Sequence, residues 1–240
     1  MLTLDCMEKI AISSAKGGVG KTSFTLMLSQ YLKNNGLKIG ILDADIYGPN
    51  ILANRDQKIS STDAKAKLLP INQGGIEVSS ISLIINDSEA AIWRGPMLSQ
   101  AIKALHDNTN WSDLDYLLID MPPGTGDAYL TVFQSLDVKK SLLVTTNDKY
   151  ALYDNLKTIS LFKKLSIELC GIIENMSEDF SLDEKPIHTS KLAKYLRSSL
   201  LASLPLTKRE IIHEDTLKLN RFEKYFTKEF LKLGKKYLFS

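Results

Sequence analysis

The chain has 240 residues, of which 44% are hydrophobic and 24% are charged, a composition typical of a soluble globular protein. We expect a single domain over residues 1–240. The formal net charge of +2 gives no reason to expect a nucleic acid partner or a membrane-binding surface. The sequence has neither a secretory signal pattern nor an apolar run of the roughly 18–20 residues that span a bilayer. Two cysteines, Cys6 and Cys170, cannot form a disulfide framework, so we expect a cytoplasmic protein.

Short apolar runs alternate with segments of helical period along most of the chain. This alternation predicts an α/β fold with a mostly parallel sheet and helices on both of its faces. Strands are predicted at residues 10–12, 38–42, 76–85, 115–120, 141–146, 169–173 and 200–204. Helices are predicted at residues 23–32, from about 96 to 106, between the later strands, and from about 221 to 238. The polar residues 53–73 are predicted to form a loop.

A glycine-rich segment with two lysines lies between the first strand and the first helix. It reads Ser13-Ser14-Ala15-Lys16-Gly17-Gly18-Val19-Gly20-Lys21-Thr22-Ser23. Strand, glycine-rich turn and helix are the context in which a Gly-Lys-Thr triplet binds the phosphates of a nucleotide. We therefore predict that residues 15–23 bind ATP, with Lys21 at the β- and γ-phosphates and the Thr22 hydroxyl on Mg²⁺.

Carboxylates at the ends of two strands are candidates for the magnesium site. Asp120 ends an apolar strand and precedes Pro-Pro-Gly-Thr-Gly, which favours a Walker-B role over a simple strand terminus. Asp43 and Asp45 follow another strand. We favour Asp45 as the residue that contacts Mg²⁺ or positions the attacking water, because it lies further toward the carboxyl end of the strand. The alternative that one of the two supports a loop through hydrogen bonds stays open.

The phosphate-binding segment departs from the usual pattern, since Ala15 replaces the first glycine and Lys16 follows it. The sequence K-G-G-V-G-K-T resembles the deviant P-loop of the ParA, MinD and nitrogenase iron protein class. That resemblance implies a homodimer that forms face to face around the nucleotide. It also implies that Lys16 reaches the partner's phosphates, as an arginine finger does, and acts in catalysis with Lys21 and Asp45.

Further blocks resemble the Mrp/ApbC family of iron–sulfur carrier ATPases more closely. These blocks are L-D-A-D-I-Y-G-P-N at 42–50, W-R-G-P-M-L-S-Q-A at 93–101, L-D-Y-L-L-I-D-M-P-P-G-T-G-D at 114–127 and G-I-I-E-N-M-S at 171–177. The resemblance implies a slow Mg-ATP hydrolase that acts in iron–sulfur protein assembly, with apo client proteins as candidate partners. By the same resemblance, Asn175 and Pro205 lie beside the adenine, although an asparagine there could instead cap a loop.

The sequence lacks the cysteines that this family uses to ligate a cluster. The family has a Cys-x-x-Cys shortly after the E-N-M-S block, whereas residues 177–186 read S-E-D-F-S-L-D-E-K-P. Cys170 stands in an apolar strand, where we expect a small core residue rather than a ligand. The missing ligands put cluster binding in doubt. A heterodimer with a cysteine-bearing paralogue is therefore an alternative to the homodimer.

Two other segments have more than one interpretation. Aromatic and leucine residues recur at helical spacing among lysines over residues 221–240. We favour a helix that docks on the sheet over one that contacts a membrane, and the latter would suit a ParA/MinD-like positioning or scaffold ATPase. The block Trp93-Arg94-Gly95-Pro96-Met97 is either a buried helix entrance or a surface for a dimer or a client.

Overall fold

The structure is a computed structural model, which describes residues 7–45, 51, 67–83, 95–147, 149–177 and 187–205. The predicted helix at 221–238, Cys6, Trp93 and Arg94 lie outside these residues. The strands are β1 Glu8–Ser13, β2 Ile39–Asp43, β3 Ile71–Gln73, β4 Ile76–Ser80, β5 Tyr116–Asp120, β6 Lys140–Thr145, β7 Glu168–Ser177 and β8 Leu200–Pro205. The helices are α1 Lys21–Asn34, α2 Gly95–Asn108, α3 Asp127–Ser135, α4 Lys149–Leu165 and α5 Ile187–Leu196.

The described strands form one sheet in the order β3-β4-β2-β5-β1-β6-β7-β8. Neighbouring strands are parallel except β3 and β4, which are antiparallel. Strand β1 lies near the middle, between β5 and β6, and chain excursions go to both sides of it. In such a sheet, ligands bind beyond the carboxyl ends of the strands, where the order of the strands changes direction. The topology therefore places the loop after β1 at the most favourable position for a ligand.

Two hydrophobic cores lie on opposite faces of the sheet. On one face, α1 packs Phe24 and Leu28, spaced one helical turn apart, against alternate residues of the strands. Helices α2 to α5 contribute to the core on the other face. That core contains Tyr129, Phe133 and Phe162, whose ring centroids lie 5.2 to 6.4 Å apart. The first of these cores fixes α1, and with it the loop before α1, against the central strands.

The predicted α/β class is confirmed, and the differences are local. Residues 71–73, predicted as the end of a loop, form the edge strand β3. The turn Gly74-Gly75 has positive φ at both residues, as a tight hairpin requires, and Asn72 Oδ1 accepts from the Gly75 N–H at 2.8 Å. The strand predicted at 76–85 ends at Ser80 and continues as a short 3₁₀ turn, Ile81–Leu83. None of the described helices combines the length and apolar composition needed to cross a bilayer.

Candidate nucleotide-binding site

The loop from Ala15 to Gly20 joins the end of β1 to the start of α1. Gly20 caps the helix with φ 86°, in the left-handed region that glycine adopts without a steric penalty. The N–H groups of the first helical turn have no partners within the helix, because the carbonyls they would need precede it. The sequence therefore produces a short loop and a helix N-terminus of the kind that binds the phosphates of a nucleotide.

Lys21 is the buried cation at the centre of the site. Its Nζ lies 3.6 Å from Asp45 Oδ2 and 3.5 Å from Asp120 Oδ1, and only 7% of its side chain is exposed. Burying a charged group is costly unless an opposite charge accompanies it. The two carboxylates supply that charge, and they come from the ends of β2 and β5. The structure thus brings together three side chains that the sequence singled out separately.

Asp120 also accepts hydrogen bonds from two threonines of α1. Thr22 Oγ1 donates to Asp120 Oδ2 at 2.6 Å, and Thr25 Oγ1 donates to Oδ1 at 3.1 Å. Burial raises the pKa of Asp120, while Lys21 and Thr22 beside it act in the opposite direction. Sequence reasoning missed Thr25, although its position one helical turn after Thr22 was the available signal.

Asp43 is fully buried beside these groups and serves as a hydrogen-bond acceptor. The Asp45 N–H donates to Asp43 Oδ1 at 3.3 Å, and Ser80 Oγ donates to Oδ2 at 3.0 Å. Burial and the nearby Asp120 raise the pKa of Asp43 to about 8. Of the two aspartates at the end of β2, Asp43 thus has the loop-supporting contacts, and Asp45 contacts the lysine. Ser80 was not among the residues that the sequence identified.

The segment after β5 packs against the start of the phosphate-binding loop. The Met121 N–H donates to the Ile12 carbonyl at 3.1 Å, and the Gly124 N–H donates to the Ser14 carbonyl at 3.3 Å. Gly124 has φ 85°, so this turn also depends on glycine. A movement of this segment would therefore displace the loop that precedes α1, because these hydrogen bonds connect the two.

Asn175 lies on the other side of the same loop. Its Nδ2 donates to the Val19 carbonyl at 2.8 Å, and its amide packs closely on Gly20. β7 runs on to Ser177, past its predicted end at residue 173, and there Ser177 Oγ donates to the Leu204 carbonyl at 2.9 Å. Ser177 pairs with Pro205 at the end of β8. Asn175 and the backbone of Pro205 therefore share one edge of the site, and their contact with adenine stays a prediction.

A family model described as ParA: NUBPL iron-transfer P-loop NTPase matches residues 5–235, a range that includes every residue of this site. The chain belongs to this family. The resemblance to iron–sulfur carriers that the sequence blocks indicated is thereby confirmed. Two curated relatives named iron-sulfur cluster carrier protein support the same family. The protein from Haemophilus influenzae is 44% identical over 216 residues, and that from Escherichia coli is 42% identical over 207 residues.

These relatives are longer proteins. The alignments cover 86% and 82% of this chain but 58% and 56% of the two relatives, so the chain spans little more than half their length. Among solved structures, a nucleotide-binding protein from Archaeoglobus fulgidus in complex with ADP has a TM-score of 0.74 and 30% identity, covering 95% and 92% of the two chains. MinD from Pyrococcus horikoshii with Mg-ADP has a TM-score of 0.66, 22% identity, and 94% and 92% coverage, which shows the shared fold.

Lys16, the early lysine of the glycine-rich loop, contacts side chains of its own chain. Its Nζ is 3.7 Å from Asp154 Oδ2 of α4 and 5.8 Å from the centroid of the Tyr150 ring. Its side chain is 38% exposed, so the pairing is at the surface and contributes little to stability. The role of Lys16 at a partner's phosphates stays a prediction.

Cys170 is partly buried in β7 and is a poor candidate for a metal ligand. Burial, followed by the charge of Glu168, raises the pKa of its thiol to about 12. A metal binds the thiolate, which is scarce at neutral pH when the pKa is so high. Within the described ranges, no group of three or more His, Cys, Asp or Glu side chains is arranged to hold a metal ion.

Proposed function

We propose that the chain binds Mg-ATP and hydrolyses it slowly, as a nucleotide-dependent switch in iron–sulfur protein assembly in the cytoplasm. The observation that carries this proposal is the group of Lys21, Thr22, Asp45 and Asp120 at the start of α1, in which the lysine and both carboxylates are buried. Family membership and the names of the relatives support it. So does the ADP in the structure of the Archaeoglobus relative.

Each residue has a defined part in the proposed reaction. The loop N–H groups of residues 15–20 bind the phosphates, and Lys21 exchanges its two carboxylate partners for the β- and γ-phosphates. Asp45 then orients the attacking water. The Thr22 hydroxyl and the Asp120 carboxylate are hard oxygen donors, which suit Mg²⁺, and Asp120 would act through a water ligand. When bound, Mg²⁺ neutralises the charge of the phosphates.

The proposed form of the switch is a dimer with the nucleotides between two copies. The position of Lys16 on the surface beside the phosphate-binding loop supports this arrangement, because a side chain there can reach a second copy. Separating Lys16 from Asp154 would cost little stability, because this ion pair is exposed to water. The alternative of a membrane-positioning ATPase depends on residues 221–240, which lie outside the described part of the chain.

The proposed role in assembly does not assign cluster ligands to the described residues. Residues 177–186 contain no cysteine, and the raised pKa of Cys170 disfavours its thiolate. If a cluster is carried, its ligands would come from the alternative to this homodimer, a heterodimer with a cysteine-bearing paralogue. Iron and acid-labile sulfide, measured per subunit after anaerobic reconstitution, test this point. We expect a colourless protein that still hydrolyses ATP, and stoichiometric iron and sulfide would refute the assignment.

The ATPase proposal is tested by phosphate release from Mg-ATP in variants of Lys21. Lys21→Ala removes the cation at the phosphates, and we expect turnover to fall by at least about 100-fold. Because Ala leaves two buried carboxylates without a cation, Lys21→Arg is the second variant: it keeps the charge but cannot place a compact ammonium in the loop. Lys103→Ala removes only a surface ion pair with Asp107 and is the control. Full activity in both Lys21 variants would refute the proposed site.

A further inference from the structure

Three polar residues face α1 from one rung of the sheet. The strand register pairs Asp43 of β2 with Ser80 of β4 on one side and with Asp120 of β5 on the other. The residues two positions before them, Ile41, Val78 and Leu118, belong to the core beneath α1. Because side chains alternate along a strand, the three polar groups project toward the same face.

Asp43 connects this rung to Asp45. The Asp43 side chain is fully buried, and each carboxylate oxygen accepts one hydrogen bond, Oδ1 from the Asp45 N–H and Oδ2 from Ser80 Oγ. Ser80 Oγ also lies 2.9 Å from Ser82 Oγ and accepts from the Ser82 N–H at 3.3 Å. The Asp45 backbone is therefore tied through Asp43 to two serines at the end of β4.

These bonds determine where the Asp45 carboxylate lies. A buried carboxylate that loses a donor carries an unsatisfied acceptor, which is far more costly than a lost bond at the surface. Ser80 satisfies one oxygen of Asp43, and the other then holds the N–H of Asp45. The Asp45 carboxylate, 3.6 Å from Lys21 Nζ, depends on this backbone position.

We infer that Asp43 and Ser80 are positioning residues for Asp45, which they hold in place for hydrolysis without contacting the nucleotide. The inference rests on the proposed function. It assigns the carboxyl end of β4, which carries none of the P-loop or Walker-B motifs, a part in the rate of the chemical step. Nucleotide affinity depends on Lys21 and the loop, and it is expected to be insensitive to Ser80.

The neighbouring residue Ser79 offers a matched control. Ser79 is buried like Ser80, but its hydroxyl lies 2.9 Å from Thr109 Oγ1 on the opposite face of the sheet. Ser79→Ala and Ser80→Ala each remove one buried hydroxyl of the same strand. The Ser80 hydroxyl contacts Ser82 as well as Asp43, so its loss is expected to cost more stability. A purely structural role would nevertheless leave the two variants with similar activity per folded molecule.

The test is to measure kcat and KM for Mg-ATP hydrolysis in both variants, after urea unfolding has confirmed that each is folded. We expect Ser80→Ala to lower kcat about tenfold, the effect of leaving one buried acceptor without its donor, with KM within about twofold of wild type. Ser79→Ala should keep the wild-type kcat. Equal kcat in the two variants, with an active wild type, would overturn the positioning role and leave the proposed function standing. An inactive wild type would overturn both.

Discussion

A lysine inside a protein needs partners for its charge, and Lys21 has two carboxylates within 3.6 Å. The P-loop motif identifies Lys21 and Thr22 as candidates from local sequence alone. Asp120 follows from its place at a strand end. The sequence could not identify Ser80, because its contact with Asp43 depends on the register between strands. Thr25 was missed, although its position one helical turn after Thr22 was a signal. Residues that belong to a local sequence motif could thus be predicted, and residues whose contacts depend on the pairing of strands could not.

The surroundings of Lys21 predict a stability effect in the absence of nucleotide. Lys21→Ala leaves Asp45 and Asp120 buried without a cation, and we expect the free energy of unfolding to fall by about 3 kcal/mol. Lys103→Ala removes an exposed pair and should change it by less than about 1 kcal/mol. Urea unfolding of both variants measures the difference. Equal changes in the free energy of unfolding would show that Asp45 and Asp120 do not balance the charge of Lys21 as described.

The thiol of Cys170 provides a prediction about pH. Its pKa is raised to about 12 in the folded protein, above the value in an unfolded chain, so it stays protonated at pH 8 when folded. In a Cys6→Ser background, we expect alkylation by iodoacetamide at pH 8 to be at least about tenfold slower than in urea. The native rate should rise as pH increases toward 12. The rate is followed by mass spectrometry, and equal native and unfolded rates would contradict the assignment.

At the scale of elements, the apolar strands were predictable because buried parallel strands read as continuous hydrophobic runs. β3 was missed since it has only three residues in a polar stretch, and its Gly-Gly turn was the neglected signal. The end of β7 was predicted too early because its last residues are polar. Glu174 is nonetheless buried, and Ser203 Oγ of β8 donates to Glu174 Oε1 at 2.9 Å. This hydrogen bond joins β7 and β8 at a point where the hydrophobic pattern used for the prediction is absent.

Helix α1 has a left-handed glycine at each end, which gives a matched comparison. Gly20 has φ 86° and packs on the Asn175 amide, whereas Gly36 has φ 87° and open space around it. Gly36→Ala should cost about 1 kcal/mol of stability, the price of a left-handed residue. Gly20→Ala must also displace Asn175, and we expect a loss of about 3 kcal/mol. Equal losses in urea unfolding would mean that the contact with Asn175 is unimportant.

At the scale of the whole molecule, the alternation of strand and helix predicted the α/β class, but the sheet order could not be derived. That order results from which strands pair, and pairing joins residues far apart in the chain, such as Ile12 and Asp120. The order has a functional consequence, because it places β5 beside β1 and β2 on the far side of β5, and so brings the carboxylates that end these two strands to Lys21. The fold thereby assembles one site from three separate segments.

A ligand that binds only the folded chain stabilises it as a whole. At 100 times its dissociation constant, Mg-ADP should raise the free energy of unfolding by about 2.7 kcal/mol. Thermal unfolding with and without Mg-ADP measures the gain. Lys21→Arg should gain little stability from Mg-ADP, since the ammonium of Lys21 contributes to phosphate binding. A gain of the same size in that variant would place the nucleotide elsewhere on the protein.

The central claim is that the loop before α1 and its lysine form a nucleotide site, and calorimetric titration with a non-hydrolysable ATP analogue and Mg²⁺ tests it most directly. We predict saturable binding of one nucleotide per chain, lost in Lys21→Arg and retained in Lys103→Ala. The absence of binding to folded wild-type protein, or undiminished binding to Lys21→Arg, would contradict the claim.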